Sequence, residues 1–183
     1  AHEKYTSGQT NSGTEHGSAG WASIFIEKTI GDMLMVGVDY VPQALETDTT
    51  ETAKSDKRTA ASDAISASTN KIQIDFENLT TMYVGARLGE SFYAKAGVMT
   101  VDVITNENLG TGGSYGNTDT TGMMAGLGYS VEAGDGLSLR AEITAAQYDE
   151  VEVANSASDA GGTKVTLTDM MSAFGTISVV KSF

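Results

Sequence analysis

The chain has 183 residues, with 11 Lys and Arg against 24 Asp and Glu, for a formal net charge of −13. That length suits one domain. The acidic balance argues against nucleic-acid binding, because phosphate contacts need a basic face. The absence of cysteine excludes a disulfide framework or a thiolate metal site. No apolar run approaches the roughly 18–20 residues of a transmembrane helix, and the longest candidate, Met33 to Val38, is short. A membrane β-barrel stays open at a mean hydropathy of −0.15, since its strands alternate and average out. The chain begins Ala-His with no basic start and apolar core, which is compatible with a mature form after removal of a leader.

Period-two alternation dominates the chain and helical periodicity is nearly absent. The first strand spans 20–30 and ends at Gly31-Asp32, a tight-turn signal. Its partner spans 33–41, with Leu34, Val36, Val38 and Tyr40 on one face. Pro42 ends the pairing. The stretch 43–69 is rich in Thr, Ser, Ala and Asp and reads as a long loop, with a short helix expected around 60–67. The strand 71–88 places Ile72, Ile74, Phe76, Met82, Val84, Ala86 and Leu88 on one parity, and Lys71, Gln73, Asp75, Glu77, Tyr83, Gly85 and Arg87 on the other. After a turn at Gly89-Glu90 comes a strand over 91–104, whose parity slips near Val101 and Val103, where a β-bulge is expected. A Gly/Asn/Thr loop precedes a strand over 120–133. Gly134-Asp135-Gly136 then turns the chain into a strand over 137–151, and the last strand runs from about 164 to 183.

Short turns thus alternate with long loops, at about 43–70, 105–119 and 154–163. Strict sidedness of this kind is the pattern of bacterial outer-membrane barrels. The strands also exceed the usual 5–6 residues and match the roughly 9–11 that a tilted strand needs in hydrocarbon. The expected fold is all-β: an antiparallel, up-and-down transmembrane β-barrel of about eight strands over 20–183. About seven strands are countable from Gly20, and single-chain bacterial barrels have even numbers. Either 1–19 supplies a weak first strand, or part of that strand precedes Ala1.

The chain ends Gly175-Thr176-Ile177-Ser178-Val179-Val180-Lys181-Ser182-Phe183. Ile177, Val179 and Phe183 share a face, and this tail resembles the closing strand of outer-membrane barrels. Lys181 departs from the pattern, although a lysine so near the end can snorkel. By architecture the chain resembles the small eight-stranded barrels of the OmpA, OmpX and opacity-protein type. That resemblance implies a Gram-negative outer membrane, lipid and lipopolysaccharide as surroundings, and recognition by the barrel-assembly machinery; a monomer is expected, with an oligomer as the alternative.

The inward parity collects Glu27, Asp75, Glu77, Arg87, Lys95, Glu132, Arg140 and Glu142. An eight-stranded barrel is only wide enough for side chains to fill, so these charges are expected to pair as a structural network, with Arg87 and Arg140 each facing carboxylates. Trp21, Tyr40, Phe92, Tyr93, Tyr129 and Tyr148 lie near strand ends, as interfacial girdles or as core. Outer-membrane enzymes of this architecture need a His beside Ser or an acid. His2 and His16 both precede the first clear strand, so no catalytic residue is assigned. No cofactor is expected, and no metal, since the acidic loop residues lack Ca²⁺-loop spacing and read as solvated. The expectation is a non-enzymatic outer-membrane barrel with a structural, adhesive or surface-interaction role. The alternatives are a secreted or surface-assembled all-β filament or layer protein, and a small-solute channel.

Overall fold

The fold was analysed in a computed structural model that describes residues 2–4, 10–14, 16–57, 65–109, 113–156 and 164–183. Thirteen strands follow in chain order: β1 (His2–Lys4), β2 (Thr10–Ser12), β3 (Ile24–Ile30), β4 (Leu34–Tyr40), β5 (Leu45–Glu46), β6 (Thr50–Lys57), β7 (Ile65–Leu88), β8 (Phe92–Leu109), β9 (Thr118–Gly134), β10 (Leu137–Tyr148), β11 (Val151–Ala154), β12 (Lys164–Leu167) and β13 (Met171–Lys181). Alternation of apolar with small or polar residues dictates strands, and every pairing is antiparallel. The main sheet runs β13-β10-β9-β8-β7-β4-β3, with β5 and β6 also pairing with β7. Three tight turns, β3–β4, β7–β8 and β9–β10, lie at one end. Gly31 and Gly89 take φ of +63° and +86° there, a region that glycine enters without steric cost.

The sheet is strongly curled. β3 and β10 stand five strand steps apart in its order, about 24 Å if it were flat. Yet Arg140 on β10 holds Glu27 on β3 at 2.9 Å. Trp21, just before β3, meets Phe174 on β13 edge-on, with ring centroids 5.0 Å apart. No ladder joins β3 to β13, the two ends of the path.

Several expectations are corrected. The stretch 43–70 is not a plain loop: β5, β6 and the start of β7 lie in it, and β6 pairs with β7 from Thr50↔Ile72 to Lys57↔Ile65. Thr, Ser and Ala accept strand geometry there without the apolar alternation that marks a half-buried strand. Of the helix expected over 60–67, residues 65–67 are strand and the rest lies outside the described residues. Among its described residues, the N-terminal segment supplies no strand to the main sheet. Instead β1 and β2 join β12 and β11 in a second sheet, ordered β11-β12-β1-β2, at the loop end. The loop expected at 105–119 also shortens, because β8 reaches Leu109 and β9 begins at Thr118.

The bulge lies on β7, not on β8. Glu77 pairs with Asp102 but Thr80 with Thr100, which leaves one extra residue on β7, and Asn78 takes φ of +54°. β8 keeps its parity throughout, and Val101 and Val103 are buried like Met99. The apolar run there is an apolar stretch of the interior and not a slip. The reversal falls on β7 instead: Phe76, opposite Val103, takes the inner row, and Asp75 and Glu77 take the outer one.

Glycine makes room for aromatic rings on the inner face. Tyr83 sits between Gly37 and Gly97 in register, and Tyr93 sits opposite Gly128. A Cβ on Gly128 would lie 2.1 Å from Tyr93 Cζ. Gly128→Ala is therefore expected to lose about 1–3 kcal/mol through forced displacement of the ring, read as a lower urea midpoint. An unchanged midpoint would show that the ring is free to move.

Candidate functional site

The interior is built from inward-facing residues of β3, β7, β8 and β10. Arg140 grips Glu27 with both terminal nitrogens, Nη2 to Oε1 at 2.9 Å and Nη1 to Oε2 at 3.0 Å. The Tyr83 hydroxyl donates to Glu27 Oε2 at 3.0 Å. Beside this pair, Lys95 Nζ lies 2.7 Å from Glu142 Oε1. Glu142 also accepts from Tyr93 at 3.0 Å and from Thr144 at 2.8 Å. The two pairs interlock through the rings, with Lys95 over Tyr83 at 4.5 Å and Arg140 over Tyr93 at 5.3 Å. All four charged side chains are at most 13% exposed. Buried charges persist only when paired and hydrogen-bonded; both pairs meet that condition, while Arg140 Nε is buried with no hydrogen-bond partner among the described residues.

Above the ionic layer, toward the loops, the interior turns apolar. Val41, Leu79, Met99, Val101, Met124 and Ala146 form a buried cluster, with Trp21, Leu45, Phe76, Tyr148 and Phe174 packed against it. A cavity of about 40 Å³ lies between the layers, bordered by Glu27, Met35, Tyr83, Lys95, Arg140 and Thr176 among others. Small-molecule sites usually occupy about 300–1,000 Å³.

The outer face inverts the usual order. Ile26 is 80% exposed, Ile177 79% and Met123 75%, and Ile24, Val38, Val84, Leu127, Leu139, Ile143 and Val179 share the belt. Exposed apolar surface of this extent is found at membrane and protein–protein contact sites and at aggregation-prone faces. Toward the turns it carries Phe92 and Tyr129, rings 5.0 Å apart. Near the loops Tyr40 donates to Asn78 at 3.0 Å, and Asn78 donates to Asp102 at 2.8 Å. Of the other candidate girdle residues, Trp21, Tyr93 and Tyr148 point inward.

Of the eight charges expected inside, Glu27, Lys95, Arg140 and Glu142 come together. Arg87 and Glu132 are exposed near the turns, so Arg87 does not face carboxylates across the interior. Asp75 and Glu77 are displaced by the bulge, and Asp75 is buried where Asn106 and Gln73 donate to its carboxylate. Tyr83, Tyr93 and Thr144 were missed as members of the network, although tyrosine opposite glycine on the inner parity is a readable signal. Ile177 and Val179 face outward, and Phe183 lies exposed beyond β13. Lys181 reaches the Asp135 carbonyl in the adjacent turn. His16 is exposed.

Beyond the belt, Glu107 on β8 accepts from the Tyr115 amide, while its other oxygen is buried with no hydrogen-bond partner among the described residues. Burial raises its pKa above the ordinary carboxylate value, against the lowering pull of the Tyr115 amide.

No protein-family model, curated protein or solved structure matches the chain.

Two outcomes follow from this geometry. Arg140→Ala leaves Glu27 buried without its cation and is expected to cost about 3–5 kcal/mol, whereas Glu27→Met with Arg140→Met recovers more than half. Urea unfolding of both variants measures this, and equal losses would contradict it. Because the folded pKa of Glu107 is raised, its stabilising contribution is full below the ordinary carboxylate range and is lost as pH rises through the raised value. Amide exchange at Tyr115, corrected for intrinsic rates, is expected to show this pH dependence, and Glu107→Gln is expected to flatten it.

Proposed function

We propose that this chain is a small, largely closed outer-membrane β-barrel of a Gram-negative bacterium, non-enzymatic and plugged along its axis. Its role is structural, adhesive or surface-interacting, through the elements at its loop end. The observation that carries this reading is the inverted polarity: an apolar belt faces out while paired ions and tyrosines fill the inside. A water-soluble sheet protein has the reverse need, since exposed apolar patches of this extent promote association.

Three further features support it. On β9 the outer row Met123, Ala125, Leu127, Tyr129 and Val131 is long enough to cross hydrocarbon at a tilt. The polar parts of β7 and β8 project beyond the belt at the loop end, where outer-membrane barrels carry their extracellular elements. The ionic layer and the apolar layer above it pack around a cavity of only about 40 Å³, which favours a plugged barrel over a small-solute channel. Membrane lipid and lipopolysaccharide are the partners of the belt, and the tail carrying Ile177, Val179 and Phe183 suits recognition by the assembly machinery.

The test is extraction and migration. The protein is expected in outer-membrane fractions, released only by detergent, with heat-modifiable migration on mild-detergent gels. Solubility without detergent would end this reading. Ile177→Arg near mid-belt is expected to cost about 2–4 kcal/mol of folding stability in lipid, and the same change at solvent-exposed Thr49 is expected to cost little. In planar bilayers the protein is expected to give no steady conductance.

A further inference from the structure

The seam between β3 and β13 carries an inference that rests on the membrane reading above. Both strands have a hydrogen-bonding edge that meets no ladder. In hydrocarbon such an edge is untenable, because each unsatisfied backbone group costs several kcal/mol or so. We propose that one further strand, supplied by this chain on the N-terminal side of residue 1 and antiparallel to both neighbours, fills this seam.

Strand direction carries the argument. β3, β7, β9 and β13 run toward the tight turns, and β4, β8 and β10 run away from them. β3 and β13 are therefore parallel, so their direct closure would be the one parallel ladder in an antiparallel sheet. One strand running from the turns to the loops restores the alternation. A second copy of the chain cannot supply it. Copies inserted in one membrane share an orientation, and among the described residues their free main-sheet edges are again β3 and β13, apart from β5 and β6, which pair with β7 at the loop end beyond the belt. Among the described residues, β4, β8 and β10 run the right way but are each paired on both sides, and β5 and β6, which run the same way, are held against β7 at the loop end.

The path of the N-terminal residues fits this occupant. β1 and β2 are tied to β12 at the loop end, so the chain reaches β3 from that end. A preceding strand that ran up from the turns would arrive at the same end, with 1–23 as its connection to β3. The seam also sets its chemistry. Its outer borders are Ile26 and Ile177, and its inner borders include Ser23, Phe25, Thr176 and Ser178. The strand should alternate, with apolar residues outward and mostly small or polar ones inward.

The test uses the polypeptide as its own cell makes it, purified in mild detergent. Its intact mass is expected to exceed 19.1 kDa by at least one strand, and a mass equal to residues 1–183 overturns the proposal. Cysteines paired between Ile24, Ile26 or Ile30 on β3 and Ile177 or Val179 on β13 are expected not to oxidise to disulfides. One intervening strand holds the two backbones about 10 Å apart, and a disulfide needs Cα atoms within about 7 Å. The pair Val36 and Val84, directly opposed on β4 and β7, is the positive control. Cysteines in the preceding segment are expected to link to both β3 and β13. Cross-links between β3 and β13 in a detergent-embedded protein overturn this proposal and leave the membrane reading standing. A cell-made protein that is soluble without detergent removes both.

Discussion

The contact between Arg140 and Glu27 is the constraint on which the rest of the molecule depends. It joins strands that a flat sheet would hold about 24 Å apart. Making it requires the sheet to curl, and curling creates an inside and an outside. Once inside, the two charges need company, because a lone bidentate pair leaves lone pairs unsatisfied. Tyr83 fills one of these, and the Lys95–Glu142 pair packs alongside with Tyr93 and Thr144. Glycines at 37, 97 and 128 then become necessary, since rings that lie across neighbouring strands leave no room for a Cβ.

The outer belt follows from the same division. With the interior occupied by ions, rings and a few methionines, the apolar half of each alternation has nowhere to go but out. In water such a surface would drive association through the hydrophobic effect. Against lipid tails it costs nothing, and the backbone must then satisfy itself completely. The open edges of β3 and β13 are the point at which that demand is least met, and this is why the seam matters more than any loop.

Much of this was legible in the sequence. Parity alone placed Ile26, Val84, Leu127 and Ile177 on one face and Glu27, Lys95, Arg140 and Glu142 on the other, because a strand has a period of two. It also gave an antiparallel all-β chain with turns at one end. What parity does not register is a break in itself. Asn78 adds one residue to β7, so Asp75 and Glu77, on its N-terminal side, face the other way; asparagine enters the left-handed region more readily than most residues, but a lone asparagine is too common to mark a bulge. The ribbon of β6 and the start of β7 was hidden for another reason: its Thr, Ser, Ala, Asp and Lys residues carry no apolar alternation to read. The partners of β1 and β2 depend on contacts distant in the chain, which local pattern cannot supply.

The central claim is that the outer face meets lipid. A nitroxide scan along β9, from Thr121 to Val131 in reconstituted bilayers, addresses it most directly. The account predicts a period of two: high accessibility to oxygen and low accessibility to a water-soluble nickel reagent at Met123, Ala125 and Leu127, with both reagents excluded at Met124 and Gly126. Nickel accessibility at Met123, Ala125 and Leu127 equal to that of an exposed loop residue such as Thr49 would contradict it.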